Sequence, residues 1–340
     1  MNFIAQILSW HSKVIKYFQK LPTYRVTPDI QPGYLKPLLP TAPPQDPEPF
    51  TDIACDVSTK IEPGLTHWQS PNFMAFFPAH TTYPSILGEM FAAAYSAPAF
   101  NWLCSPACTE LETVVMDWVA QMLGLPECFL STGSTHGGGV IQGSASEAVL
   151  VAMIAAREQI LRAQLEKEDM NEKPGESEDE QIKREDRAAE IKSKLVALGS
   201  EMSHSSTQKA ANMLGLRYRS ARAGKDTDFR MTGANLRAKI KECRDRGLEP
   251  FYVTATIGTT GTCAVDELEE IAKIREENPY LWVHIDAAYA GTALICPEYR
   301  ELAQAASLRY FDSFNFNMHK WLLTNFDARS VLIITHRHLH

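Results

Sequence analysis

Three short, nearly continuous apolar runs constrain this chain most: "FYVTATIG" (residues 251–258), "LWVHIDAA" (281–288) and "SVLIITH" (330–336). Each is too short for a buried helix and rich in β-branched and aromatic residues. Helical patterns such as "VDELEEIAKIREE" (265–277) lie between them. Strands that alternate with helices build an α/β domain whose mostly parallel sheet is buried on both faces. In such a sheet ligands bind at the carboxyl ends of the strands, so the chemistry is to be sought there.

Composition narrows the class. At 340 residues and 45% hydrophobic, the chain has ample core for one large domain and a smaller piece. A formal net charge of -8 gives no basic footprint, so nucleic acid is not an expected partner and a small-molecule substrate is. The seven cysteines, with no CxxC pair, fit free thiols in a reducing, cytoplasmic compartment. No metal site is expected: Cys104 and Cys108 lack further ligands, and His336, His338 and His340 lack a carboxylate or cysteine alongside.

The opening twenty residues place Phe3, Ile4, Ile7, Leu8, Val14, Ile15 and Phe18 on one helical face, interrupted by lysines. This is an amphipathic helix, not a signal peptide or a membrane span. A proline-rich connector from Pro22 to Phe50 follows and must run along a surface. Residues 1–85 therefore read as a helical and extended arm with little of its own to pack on, suited to embracing a second copy in a homodimer; residues 86–340 form the main domain. Within it, "TELETVVMDWVAQMLGLP" (109–126) predicts a helix opened by a Thr109/Glu112 capping box, with a core stripe of Leu111, Val114, Val115, Trp118 and Met122 and a stop at Gly124. The Glu-, Asp- and Lys-rich stretch 162–194 reads as a solvated insertion with helical ends.

Four features gather at expected strand ends. "GGGVIQGSASEAVLVAMIAARE" (137–158) passes from glycines through a short strand to Ser144, Ala145 and Ser146 and into a helix, which fits either a serine cap or a phosphate seat. Asp286 ends a buried strand, where it either caps the next turn or stays ionised against a cation such as a protonated ring nitrogen. Thr256, Thr259 and Thr260 cluster after another strand, and His204 precedes a further helix, as a cap or as a ring lying flat on a ligand. Lys320, in "DSFNFNMHKWLL" (312–323), stands in an aromatic stretch, as a solvated turn residue or as an amine tuned to attack a carbonyl. A helix N-terminus for phosphate, an aspartate for a ring nitrogen and a lysine for a carbonyl are together what a pyridoxal phosphate site needs.

The blocks "PDIQPGYLKPLLP", "THWQSPNFMAFFPA", "SPACTELETVVMDW", "GGGVIQGSASEA", "HSSTQKA", "LWVHIDAAYAGTALICPEYR" and "DSFNFNMHKWLL" occur in that order within a stretch of similarity that runs from about Pro28 to Ile333. They resemble the pyridoxal-phosphate-dependent group II decarboxylases, most closely those acting on aromatic L-amino acids. The resemblance implies a fold-type I transferase-like large domain with a mostly parallel seven-stranded sheet. Lys320 would carry the cofactor as a Schiff base, Asp286 would pair with its pyridine nitrogen, and His204 would stack on its ring. Ala145, Ser146, Thr260, Asn317 and His319 fall on further cofactor-binding positions; Trp68, Phe76, Phe77, Ala79 and Phe100 fall near the substrate pocket. The implied reaction is decarboxylation to the amine and carbon dioxide. Alternatives are a cofactor-binding relative without turnover, an aldehyde-forming relative, and a glutamate or histidine decarboxylase.

The chain also departs from the family pattern. Relatives continue past "RSVLIITHRHLH" with a tyrosine-bearing loop and a C-terminal small domain, both expected to be missing here, and no tyrosine follows Lys320. Met318 stands where the family usually has proline, and Ala79 where animal relatives often have threonine.

Overall fold

The computed structural model describes residues 3–326 and 330–334, with side chains from Trp10 to Phe326. The chain divides into two compact units, Met1–His80 and Thr81–His340. The division falls just before a helix, Tyr83–Tyr95, so the boundary expected at 85/86 lies inside a regular element. The terminal His336, His338 and His340 lie outside the described residues.

In the first unit, α1 (Phe3–Lys20) and α2 (Phe50–Asp56) flank the proline-rich connector. The expectation that α1 has little of its own to pack on does not hold. Tyr17 Oη lies 3.0 Å from His67 Nδ1, and Tyr24 stacks on that imidazole at 5.0 Å. Lys13 Nζ donates to Ser58 Oγ at 3.1 Å, and Trp10 meets Phe50 edge-on. The prolines prevent regular structure but turn the connector back on itself, which brings residues 50–68 to the helix.

The second unit holds α3 (Tyr83–Tyr95), α4 (Pro106–Leu123), β1 (Gly138–Gln142), α5 (Ala145–Lys167), α6 (Glu178–Lys194), β2 (Leu195–Ser200), α7 (Ser206–Met213) and β3 (Arg217–Ala221). It continues through α8 (Gly233–Asp245), β4 (Glu249–Thr256), α9 (Leu268–Glu277), β5 (Trp282–Asp286), β6 (Ser313–Asn317), α10 (Met318–Trp321) and β7 (Ser330–Ile334). Among the described residues these strands form one seven-stranded sheet in the order β1-β7-β6-β5-β4-β2-β3. The pairings from β6 through β3 are parallel, and β7 is antiparallel to both β6 and β1. Two reversals make β1 run with β6. Gln142 and Asn317 both pair with Ser330, so the chain leaves β1 on the same rim as it leaves β6.

Strand alternation sorts the two cores. On one face Val253, Ala255, Val283, Ile285, Phe314 and Phe316 pack with residues of α4, α8 and α9; on the other, Tyr252 and Trp282 join Ala148, Ala152 and Met153 of α5 and Ala210 and Ala211 of α7. α4 begins at Pro106, a turn earlier than expected, because proline suits the first helical position. Glu112 does not close a capping box; its Oε1 accepts the Ile141 backbone N–H at 2.8 Å. The expected core stripe is also displaced. Met116, Val119, Ala120 and Leu123 face the sheet, whereas Leu111, Val114, Trp118 and Met122 are exposed and Val115 is partly buried. The helix is apolar on two sides, and periodicity alone does not say which side the sheet takes. Gly124 ends it in the left-handed region, as expected.

The acidic and basic stretch forms the end of α5, a turn and α6. α6 is opened by a reciprocal Ser177/Glu180 capping box and is tied to the end of α5 by Arg187 to Glu168 at 2.8 Å.

One buried ion pair braces the sheet. Arg275 Nε and Nη2 each donate to Asp312 at 3.0 Å, and Asp312 also accepts the Val283 backbone N–H at 2.8 Å. Removing the guanidinium strands a buried carboxylate, so Arg275→Ala is expected to cost about 3–5 kcal/mol in urea unfolding. A loss below about 1 kcal/mol, the range of exposed pairs, would contradict that view.

Candidate active site

The rim formed by the carboxyl ends of β1, β4, β5 and β6 collects most of the residues singled out from sequence. Thr256 and Asp286 close β4 and β5 as register partners, and Asp286 pairs with Asn315 of β6. Asn317 ends β6, and the single turn of α10 carries His319 and Lys320 immediately after it.

Asp286 is buried, and its Oδ1 accepts the Ala288 N–H at 3.1 Å, so the aspartate also caps the turn that follows. Lys320 is partly buried. Removal from water lowers its pKa below the ordinary lysine value, and the nearby Asp286 carboxylate opposes that shift. A neutral amine is thereby made more accessible than on a surface lysine. Asn317 Nδ2 lies 3.1 Å from His319 Nε2, whose ring meets Phe326 edge-on at 4.8 Å.

On the far side of the rim, Ser144 caps α5 by accepting the Glu147 N–H at 3.2 Å. The first-turn N–H groups of Ala145 and Ser146 have no acceptor within the helix, and the helix dipole favours an anion there. The two sequence alternatives, serine cap and phosphate seat, are compatible: the side chain of Ser144 does the first and leaves backbone donors for the second. His204 is exposed, with Nδ1 held by the Ser206 N–H (3.2 Å) and hydroxyl (3.0 Å). After β4, Gly258 takes φ +85°, and a Cβ there would come within 2.5 Å of Ala290, so the turn that presents Thr259 and Thr260 requires glycine. Thr259 is buried and binds the Ala264 N–H; Thr260 is exposed.

The expected substrate residues are distributed between the units. In the first, Trp68 packs on Phe73 at 4.5 Å and stacks with Phe76 at 5.6 Å; Phe76 has φ +57° and is 85% exposed, and Ala79 O accepts from Gln69 Nε2. Phe77, also in this unit, is partly buried. Phe100 belongs to the second unit and is 78% exposed.

A phosphorylated, nitrogen-bearing ring seated at these strand ends would need polar partners there. Among the described residues, Thr256 Oγ1, Asn315 Nδ2 and Asn317 Oδ1 are buried without hydrogen-bond partners. Orphaned polar atoms on a rim that also offers a buried carboxylate, a lysine and helix donors are what a polar ligand would satisfy. The residues fit.

The model of the pyridoxal-dependent decarboxylase conserved domain matches residues 32–340. The chain belongs to the pyridoxal-dependent decarboxylase family. The cofactor of this family member is pyridoxal phosphate. The chain is 44% identical over 321 residues to the aromatic-L-amino-acid decarboxylase of Cavia porcellus, covering 94% of this chain and 62% of that protein. Among solved structures, it is similar to Catharanthus roseus tryptophan decarboxylase in complex with L-tryptophan, with a TM-score of 0.86, 36% identity and coverage of 98% of this chain and 64% of that one. It is also similar to Rhodiola rosea 4-hydroxyphenylacetaldehyde synthase, with a TM-score of 0.83, 37% identity and coverage of 99% and 67%. The chain thus spans less than two thirds of the curated relative's length. Among the described residues no helix is long and apolar enough to cross a membrane.

Sequence reasoning missed Ser313, Asn315 and His284, the polar side chains behind the rim. The signal was present in "SFNFN", where polar and aromatic residues alternate with the period of a strand.

Proposed function

We propose that this chain acts in the decarboxylation of an aromatic L-amino acid to the corresponding amine and carbon dioxide. The observation that carries the reading is the partly buried Lys320 amine close to the Asp286 carboxylate at the sheet rim. When bound, pyridoxal phosphate supplies an aldehyde for amines and a ring that accepts electrons. In this reading Lys320 would hold the cofactor covalently through its side-chain amine. Asp286 keeps a proton on the ring nitrogen, because a carboxylate beside a pyridinium favours its charged form. Ala145 and Ser146 at the start of α5, with Thr260, Asn317 and His319, bind the cofactor, chiefly its phosphate, and His204 covers the ring. Trp68, Phe76, Phe77, Ala79 and Phe100 are the residues proposed to meet the substrate, since aromatic side chains favour a ring-shaped one.

A second copy of the chain belongs to the proposal. The helix α3 exposes Leu87, Met90 and Phe91, and α4 exposes Leu111, Val114 and Trp118, large apolar side chains of the kind that a protein partner covers.

Incubated with pyridoxal phosphate, the protein is expected to release carbon dioxide and the matching amine from tryptophan, tyrosine or dihydroxyphenylalanine, and to size as a dimer. Carbon dioxide from glutamate or histidine alone, or from none of the five, overturns the substrate assignment. The similarity to an aldehyde synthase supports a second reading, in which an aldehyde replaces the amine; assaying both products decides between them.

A further inference from the structure

Alternation places Trp282, His284 and Asp286 on one face of β5, and register sets His284 opposite Ser313 and Asp286 opposite Asn315. His284 is fully buried, with Nδ1 2.8 Å from Ser313 Oγ and Nε2 2.7 Å from Asn315 Oδ1. Trp282 Nε1–H already donates to Ser313 Oγ at 2.8 Å. The serine hydrogen is therefore free to be given to His284 Nδ1, which leaves Nε2–H to donate to Asn315 Oδ1. A doubly protonated ring would instead press a second N–H on Ser313 and strand its hydroxyl hydrogen.

The surroundings agree with an uncharged ring. Tyr252 of β4 lies parallel to it at 6.1 Å, and Thr254 is tied to Thr207 of α7 at 3.0 Å. α5 lays alanine, valine and methionine side chains over this face, and the charged groups nearby are Asp286 and, beyond it, Lys320. Burial pushes the His284 pKa down to about 4 although Asp286 pulls it up. One atom is left over: Asn315 Nδ2 has no partner.

We propose that His284 is a positioning residue which, as the neutral Nε2–H tautomer, fixes the Asn315 carboxamide beside Asp286 and so orients the polar floor under the cofactor ring. The proposal rests on the reading of Asp286 as the partner of the ring nitrogen. A histidine serving only to fill space would leave the amide free to turn.

Two measurements on the full chain test it. In the protein without added cofactor, 15N spectra are expected to show His284 protonated on Nε2 alone and unchanged between about pH 5 and 8. Titration in that range, or the Nδ1–H tautomer, overturns the proposal. In pyridoxal phosphate titrations followed by absorbance, His284→Phe is expected to weaken binding on the order of tenfold and to shift the pH dependence of the bound band. His284→Gln, whose amide can still donate to Asn315, is expected to recover most of both. Should His284→Phe not fold, Ser313→Ala is expected to produce the same spectral shift in smaller measure. Wild-type affinity and spectra in His284→Phe or, failing that, in Ser313→Ala, or a Gln variant as impaired as Phe, sinks the idea. A wild-type chain that binds no cofactor overturns the cofactor reading and this role with it, while the tautomer result stands separately.

Discussion

Replacing Lys320 by alanine is expected to leave a folded protein that no longer holds pyridoxal phosphate covalently, with decarboxylation reduced on the order of 10³-fold or more. The fold should tolerate the change, because Lys320 sits on a single turn after β6 and burial of its amine carries a desolvation cost. Reduction with borohydride should fix the cofactor to the wild-type chain at Lys320 and leave it removable from the variant. The pH dependence carries a sign. Burial lowers the Lys320 pKa, so at any pH near neutrality a larger fraction of its amine is unprotonated than for an ordinary lysine. Covalent capture, which needs the neutral amine, is therefore expected to reach half its limiting rate at a pH below about 10.4, the ordinary lysine value. Equal trapping in wild type and variant would remove Lys320 from the mechanism.

Legibility followed the range of the interactions involved. The strands around "FYVTATIG" and "LWVHIDAA" were readable because a doubly covered strand must be apolar along its whole length. The serine cap of α5 was readable because capping is settled within four residues. The antiparallel β7 that turns β1 back into line with β6 was not, since it joins segments nearly two hundred residues apart by backbone pairing, which leaves no side-chain signature. For the same reason the face of α4 that meets the sheet could not be chosen from a helix apolar on two sides. At the site, Asp286 and Lys320 stood out as charges in apolar runs. His284 did not, because a histidine inside a strand acquires meaning only from Ser313 and Asn315 on the neighbouring strand.

Asp286→Asn separates the electrostatic part of the site from its shape. The amide is isosteric with the carboxylate and its Oδ1 can still accept the Ala288 N–H, so the turn after β5 should persist. What is lost is a negative charge at the rim. With the cofactor bound, that charge would hold a proton on the ring nitrogen, and its removal is expected to slow decarboxylation by about 10²–10³-fold with a smaller change in KM. The same substitution acts in the other direction on Lys320. Asp286 raises the pKa of that amine against the effect of burial, so removing the carboxylate lets the pKa fall further and moves covalent capture to lower pH. A variant that captures the cofactor at lower pH yet decarboxylates poorly would tie both effects to one charge. Slower turnover with an unmoved capture profile would place Asp286 outside the electrostatic reach of Lys320, and an active variant would deny it the ring nitrogen.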